Sequence, residues 1–300
     1  MLSDTEVKRQ VREFYNQVGW QEVGEGLYQN ARYEDLRPVS REYVHRCHLR
    51  VLRHLKAQGR YLLDAGSGPI QYPEYLEYSR DYQARVCIDI SIVALQDARR
   101  RIGDRGQGGH GLFVVADIAN LPFKPEVFQG FVSLHTIHHL PIDEHVCAYG
   151  ELQRVLAEGC SGVIVNGWDS PPLTVLSDRL VHLVERIYSR THDSHPGPDK
   201  HGNHALEGLG TRKKELPEQP QGTFVRKSSA AGLKREIGRQ MPLKIFVWRS
   251  FNVRSLRTFI HERWGGRTLL RLLFWLEERF PRFFGENGQY PLIVIGKRNN

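Results

Sequence analysis

The spacing of hydrophobic positions changes near Gly59. Before it, apolar residues recur at helical intervals, first Val7, Val11, Phe14 and Tyr15, then Tyr43, Val51, Leu52 and Leu55, so residues 5–57 read as helices joined by turns. After it, short apolar runs alternate with amphipathic stretches. The runs Tyr61–Asp64, Ala84–Asp89, Leu112–Asp117, Gly130–Leu134 and Gly162–Trp168 have the length of strands, and the helices between them fall near Gln71–Tyr78, Ser91–Ile102 and Asp143–Ala157, with a Gly-rich connection over Gly103–Gly111. This alternation predicts parallel strands with crossover helices, because a parallel partner can be reached only by carrying the chain back along the sheet. Beyond Trp168 the pattern becomes irregular. A helical stretch near Leu173–Ser189 precedes a polar segment, Thr191–Gly222, rich in Gly, Pro, His and charge, which reads as a lid or loop. Strand-like runs return at Leu243–Trp248 and Tyr290–Gly296, separated by helical Val253–Arg263 and Thr268–Phe280.

Composition narrows the class. With 300 residues, 40% of them hydrophobic and 25% charged, the chain can build a sizeable core. Met1 to Val7 carries Asp4 and Glu6 and no apolar stretch, so neither a signal nor a transit peptide is expected, and a cytoplasmic location follows as the expectation. The most apolar stretch, Leu269–Leu276, is broken by Arg271 and is too short to span a bilayer. Cys47, Cys87, Cys147 and Cys160 are scattered without a CxxC pair, which excludes a zinc ribbon or a disulfide framework as an organising feature.

Charge is unevenly placed. Residues 201–300 hold 19 Lys and Arg against 8 Glu and no Asp, a balance of +11, which leaves 23 basic and 26 acidic residues before them and accounts for the total of +8. The basic character therefore belongs to the C-terminal third, where it suits an anionic small molecule, a membrane surface or a nucleic acid.

Three segments carry candidate chemistry. Leu62-Leu63-Asp64-Ala65-Gly66-Ser67-Gly68-Pro69 sets a Gly-rich turn after an apolar strand and before a helix, where missing Cβ atoms let the backbone approach a ligand. A dinucleotide fingerprint would need a third Gly where Gln71 stands, so NAD or FAD is less well supported than a smaller nucleoside ligand. Asp89 closes the next strand, followed by Ile90 and Ser91, and can accept hydrogen bonds from both hydroxyls of a ribose; alternatively it caps the next helix, a task Ser91 can also perform. Asp117-Ile118 ends the third strand ahead of Asn120-Leu121-Pro122-Phe123.

In this order, these segments and His138-His139-Leu140 after the fourth strand resemble the class I S-adenosylmethionine-dependent methyltransferases, especially the ubiquinone and menaquinone C-methyltransferase-like, small-molecule branch. The likeness covers roughly residues 60–168 and continues through Glu151-Leu152-Gln153-Arg154-Val155-Leu156, with Leu156-Ala157-Glu158-Gly159 in place of the family's L-K-P-G-G. It departs at Pro69 and Ile70, where many relatives carry another Gly. The resemblance implies S-adenosyl-L-methionine as cofactor, with Gly66 and Gly68 beneath its methionine portion, Asp89 at its ribose, Asp117 at the adenine amino group and Ile118 against the ring, and with Asp64 and Ile90 also among the cofactor-binding residues. It implies an α/β fold, a Rossmann-like doubly wound seven-strand sheet. The corresponding division is a helical N-terminal cap (1–58), a cofactor-binding core (59–169), an insertion or lid (170–242) and a final segment of strands and helices completing the core (243–300).

His135, at the end of the fourth strand, is the candidate catalytic base, since imidazole ordinarily titrates near neutrality, or equally a part of the crevice wall; in the resembled family the paired histidines often pack or position, and His138 and His139 are read in that way. A second cluster, His192, His195, His201 and His204, reads as part of a polar loop, and no metal site is expected from either group. The expected reaction is methyl transfer to a small, anionic acceptor selected by the basic cover, with Arg235 and Arg239 as its selecting cations. The alternatives are a nucleic-acid methyltransferase and a regulatory protein that binds the cofactor without turnover. Leu269, Leu272, Leu273, Leu276 and Phe280 share a helical face that reads as core, while Phe283 and Phe284 beside Arg279 and Arg282 leave peripheral membrane contact open.

Overall fold

A computed structural model describes residues 4–24, 27–28, 34–103, 111–191 and 223–297. Its central sheet has seven strands: β3 (Gly59–Ala65), β4 (Tyr82–Asp89), β5 (Gly111–Val115), β6 (Phe128–Leu134), β7 (Leu156–Val165), β8 (Leu243–Arg249) and β9 (Tyr290–Gly296), in the order β5-β4-β3-β6-β7-β9-β8. A separate small hairpin joins β1 (Glu22–Gly24) to β2 (Leu27–Tyr28). Strands β3 to β7 run parallel, β9 is antiparallel to β7, and β8 is antiparallel to β9. The chain winds outward from β3 through β4 to β5, then returns to the other side of β3 with β6. That reversal splays the connections leaving β3 and β6, and a crevice forms at their carboxyl ends.

Helices cover both faces, which is why the parallel strands read as unbroken apolar runs. Side chains alternate across the sheet. Leu62, Cys87, Val132 and Val163 pack with α3 (Pro73–Glu77) and α4 (Ile92–Ile102), whereas Leu63, Val86, Phe131 and Ile164 pack with α5 (Ile142–Val155) and α7 (Ala230–Glu236). A third cluster joins α2 (Arg41–Leu49), α8 (Val253–Phe259) and α9 (Gly266–Arg279) through Tyr43, Leu256, Leu270 and Phe274. The remaining helices are α1 (Asp4–Phe14), α6 (Pro172–Thr191) and α10 (Pro281–Asn287).

Several boundaries differ from the sequence expectation for local reasons. The helix expected over Gln71–Tyr78 starts only at Pro73, because Tyr72 is extended, as a residue before proline prefers. The helix expected to reach Ala157 stops at Val155, and Leu156 passes directly into β7, whose pairing with β6 is irregular and whose Gly159 is left-handed. Strand β5 ends at Val115 and β7 at Val165, both short of the expected Asp117 and Trp168. Val253–Arg263 divides into α8 and a 3-10 turn at Glu262–Trp264. The N-terminal region is mostly helical, but a π turn, Tyr15–Gly19, and the β1–β2 hairpin interrupt it. The polar tract after Thr191 and its four histidines lie outside the described residues, as does most of the Gly103–Gly111 connection. No helix among the described residues is long and apolar enough to cross a membrane.

Candidate functional site

The crevice at the ends of β3 and β6 encloses about 430 Å3. Asp64, Gly66, Gly68, Asp89, Ile90, Asp117, Ile118 and His135 all line it. The turn after β3 needs its glycines: Gly66 and Gly68 have φ of +74° and +53°, and a Cβ at these positions would come within 2.2 Å of Thr136 and 2.9 Å of Trp20. Thr136, just beyond β6, donates its hydroxyl to the Gly66 carbonyl at 3.2 Å, so the two loops flanking the topological reversal are tied together. Ile70 is also left-handed, at φ +55°. It is one of the two positions, with Pro69, at which the sequence departs from the resembled pattern, and its side chain is fully buried in the core beneath the turn.

Asp89 is oriented by the backbone. One oxygen accepts from Gly68 N at 3.0 Å and the other from Ser91 N at 2.8 Å. Ser91, not Asp89, caps α4, with its hydroxyl accepting from Ala94 N at 3.1 Å. Burial raises the Asp89 carboxyl to about 6, outweighing the two N–H groups that favour the charged form. Asp64 forms a buried ion pair with Arg85, whose guanidinium also donates to the Tyr75 carbonyl. Asp117 accepts from Ala119 N at 2.9 Å and pairs with Lys8 at 2.5 Å; Lys8 reaches Glu144 as well, at 2.6 Å. Helix α1 thus closes over this end, bringing Val11 and Phe14 to the lining along with Tyr15 of the π turn, while Ile118 is buried beneath.

His135 occupies the opposite end at a left-handed φ of +57°, its N–H held by the Val165 carbonyl at 2.7 Å. Its ring lies edge-on to Trp248 and Tyr290, with centroids at 5.1 and 5.6 Å. Burial pushes its pKa down to about 3, with Arg249, His48 and His139 adding to the effect against Glu34. Burial thus favours the uncharged imidazole, the form that can accept a hydrogen bond. His139 is structural. Its Nδ1 lies 2.8 Å from the Phe224 carbonyl and its Nε2 2.8 Å from the Tyr15 hydroxyl, so Nδ1 donates and Nε2 accepts. It therefore joins the N-terminal segment to residues 223–227, of which Thr223, Val225 and Lys227 line the crevice.

A group of residues that the sequence reading missed completes this end. Glu34 and Arg249 form a buried ion pair on the wall, and the Arg249 guanidinium lies 4.7 Å over the Tyr290 ring. Arg249 and His48 hold the Glu34 carboxyl down at about 2 despite burial. His48, stacked on Trp248, stands between Glu34 at 3.8 Å and Glu74 at 3.6 Å, and these carboxylates raise its pKa against the effect of burial. No local motif announces this cluster, since Glu34 and Arg249 are far apart in the chain. The two cations expected to select the acceptor lie elsewhere. Arg235 is exposed and paired with Glu236, and Arg239 borders a different, open depression with Arg154 and Lys297; neither lines the crevice, where Lys8, Lys227 and Arg249 stand instead. The described residues contain no cluster of His, Cys, Asp and Glu suited to a metal.

Comparison with known proteins adds to this geometry. Residues 63–164, which include every one of the eight lining positions read from the sequence, match the methyltransferase domain family. No curated protein matches the chain in sequence. Among solved structures, the cyclase SpnF is similar at 15% identity, covering 100% of this chain and 98% of its own, with a TM-score of 0.53. The geranyl diphosphate C-methyltransferase from Streptomyces coelicolor A3(2), in complex with Mg2+, geranyl diphosphate and S-adenosyl-L-homocysteine, covers 97% of each chain at 15% identity and a TM-score of 0.52. The YcgJ protein from Bacillus subtilis covers 85% of this chain and 100% of its own at 15% identity, with a TM-score of 0.50. At this identity the structures share the fold.

Proposed function

We propose that this chain, whose residues 63–164 match the methyltransferase domain family, is a class I S-adenosylmethionine-dependent methyltransferase that methylates a small acceptor held at the far end of the crevice, beside Tyr72, His135, Arg249 and Tyr290. The observation that supports this most is the division of one crevice into two chemically different ends. One end has the attributes of a nucleoside site. Gly66 and Gly68 let the turn pack closely against Thr136 and Trp20 along the crevice, and Asp89 has used two of its roughly four acceptor sites on backbone N–H groups, leaving others for ribose hydroxyls. Asp117 and Ile118 supply an acceptor and an apolar surface for the adenine.

When bound, the cofactor supplies an electrophilic methyl group on a sulfonium. The chain supplies orientation and a dry environment. Helix α1 and residues 223–227 cover the crevice, and the neutral His135 can accept a hydrogen bond from an acceptor hydroxyl or amine, aligning its lone pair and taking up the proton that the acceptor sheds on methylation before passing it to solvent. Lys227 at the mouth and Arg249 on the wall offer positive charge to an anionic acceptor.

The test is incubation of the full chain with methyl-labelled cofactor and fractionated cell extract, alongside the His135→Asn variant. Asparagine tolerates a left-handed backbone better than glutamine, so this change removes the ring while sparing the turn. Label is expected in a small-molecule fraction, with turnover of the variant at least about tenfold lower and S-adenosylhomocysteine affinity unchanged. Label in RNA would favour the nucleic-acid reading. Tight cofactor binding with no labelled fraction would favour a binding protein, and the likeness to a cyclase makes that control necessary.

A further inference from the structure

We infer that the solvent face of α9, with the chain at both of its ends, docks this protein on an anionic lipid bilayer. The helix is two-sided. Leu270, Phe274 and Glu277 are buried, and Glu277 accepts from the Tyr43 hydroxyl of α2 at 2.7 Å and from Ser250 N at 3.0 Å. Leu269, Leu272 and Trp275 recur every third residue and spread over about 120° of the opposite side. All three are exposed, Trp275 by 59%. The face continues past the ends of the helix, where Trp264 is 79% exposed and Phe280 and Phe283 are exposed too. Two Trp, two Phe and two Leu displayed within about twenty residues exceed what a surface in water needs, and such clusters mark interaction sites.

Charge and composition choose the occupant. Arg263, Arg267, Arg271, Arg279 and Arg282 are exposed around these side chains. Among the described residues, Arg271 and Arg267 are the ones of these five that pair with carboxylates, those of Glu42 and Glu262. Apolar side chains interleaved with arginine, with indole rings at the edges, suit the boundary between anionic headgroups and acyl chains, where indoles are amphipathic enough to sit and guanidinium groups meet phosphates. A second copy fits poorly. A two-fold contact would set this patch against itself, opposing arginine to arginine. With no membrane-crossing helix among the described residues, the contact is peripheral. Ser250 follows Arg249, so the docking face lies about one helix diameter, ~10 Å, from the acceptor end of the crevice. Docking is separable from methyl transfer and is tested without it.

The experiment is co-sedimentation of the full chain with vesicles of phosphatidylcholine alone or mixed with phosphatidylglycerol, with tryptophan emission recorded. Binding to the mixed vesicles is expected, at least about tenfold weaker on phosphatidylcholine alone, with a blue shift of emission and loss of binding as salt rises. Trp264→Ser with Trp275→Ser, and separately Arg279→Glu with Arg282→Glu, should each lower partitioning at least about tenfold. Unchanged S-adenosylhomocysteine binding would show that these variants are folded. The inference is overturned if the wild type ignores mixed vesicles, if both variants bind them as well as the wild type, or if the wild type is a dimer that the double Trp variant dissociates.

Discussion

Asp89 is held in place before any ligand arrives, and its two backbone donors do not prevent burial from raising its carboxyl to about 6. Ribose hydroxyls donate hydrogen bonds, so they favour the ionised form. Affinity for S-adenosylhomocysteine should therefore be level above about pH 7 and fall as pH drops through 6, by at most tenfold per unit. Asp89→Ala should cost about 1.5–3 kcal/mol of binding, the scale of hydrogen bonds to a charged group, and should flatten the acid fall. Calorimetry across pH 5–8 checks both, and a wild-type profile flat through pH 6 would remove Asp89 from the ribose. Ile70 shows a different compromise. A β-branched residue at φ +55° costs about 1–2 kcal/mol, an amount that full burial of its side chain, at about 1.5–3 kcal/mol, can offset. The departure from the family's glycine thus leaves the turn geometry available.

At the scale of elements, the crevice depends on α1 as much as on the sheet. Lys8 bridges Asp117 and Glu144 and so fixes the helix over the Asp117 end of the crevice. These groups are about a quarter exposed, so the bridges contribute little to stability, at most about 1 kcal/mol, and their main effect is on how long the cover stays shut. Lys8→Ala should leave the melting temperature within a few degrees of the wild type and raise the dissociation rate of S-adenosylhomocysteine several-fold; stopped-flow displacement with unchanged rates would mean that the cover does not gate the site. The sheet was legible in the sequence because parallel strands buried on both faces must be apolar runs, and the eight lining positions were legible because each lies on or just after one of those runs. The cover was not legible in the same way. Lys8 meets Asp117, and Glu34 meets Arg249, across spans that no local period records, and Arg249 ends a strand whose pattern is otherwise ordinary. Charge density misled for the same reason: it located basic residues in the last third without saying which side of the fold they occupy, and Arg235 on α7 and Arg239 in the turn after it lie away from the crevice.

The molecule as a whole should be unusually sensitive to acid, because the crevice wall holds several imidazoles neutral. Burial lowers His135 to about 3, His139 to about 4 and His138 well below its ordinary value, whereas each would titrate near 6.5 in the unfolded chain. A depressed folded pKa means stability that is complete above 6.5 and is lost as pH falls, since the unfolded chain takes up protons that the native one refuses. Each group contributes a slope of up to about 1.4 kcal/mol per pH unit. Asp89 acts in the opposite sense between pH 6 and 4, binding its proton in the native state first and offsetting one of these three histidines, while His54 and His145, also lowered by burial, add to the loss; the net uptake is then at least about two protons, or ~3 kcal/mol per unit. His48 adds no slope below 6.5; its raised pKa contributes stability that is lost on the alkaline side. Since a domain of this kind has only about 5–15 kcal/mol in total, most of it should be gone by about pH 4. Urea denaturation at intervals from pH 7 to 4.5 should show the midpoint falling steeply below 6, and a midpoint level down to pH 5 would contradict the buried neutral histidines. Salt separates this cause from the general repulsion of a chain that already carries +8. Repulsion between surface charges is screened, so added salt would restore a midpoint lost that way, whereas the cost of protonating a buried ring is a desolvation cost that salt leaves in place. The acid loss should therefore persist at high ionic strength.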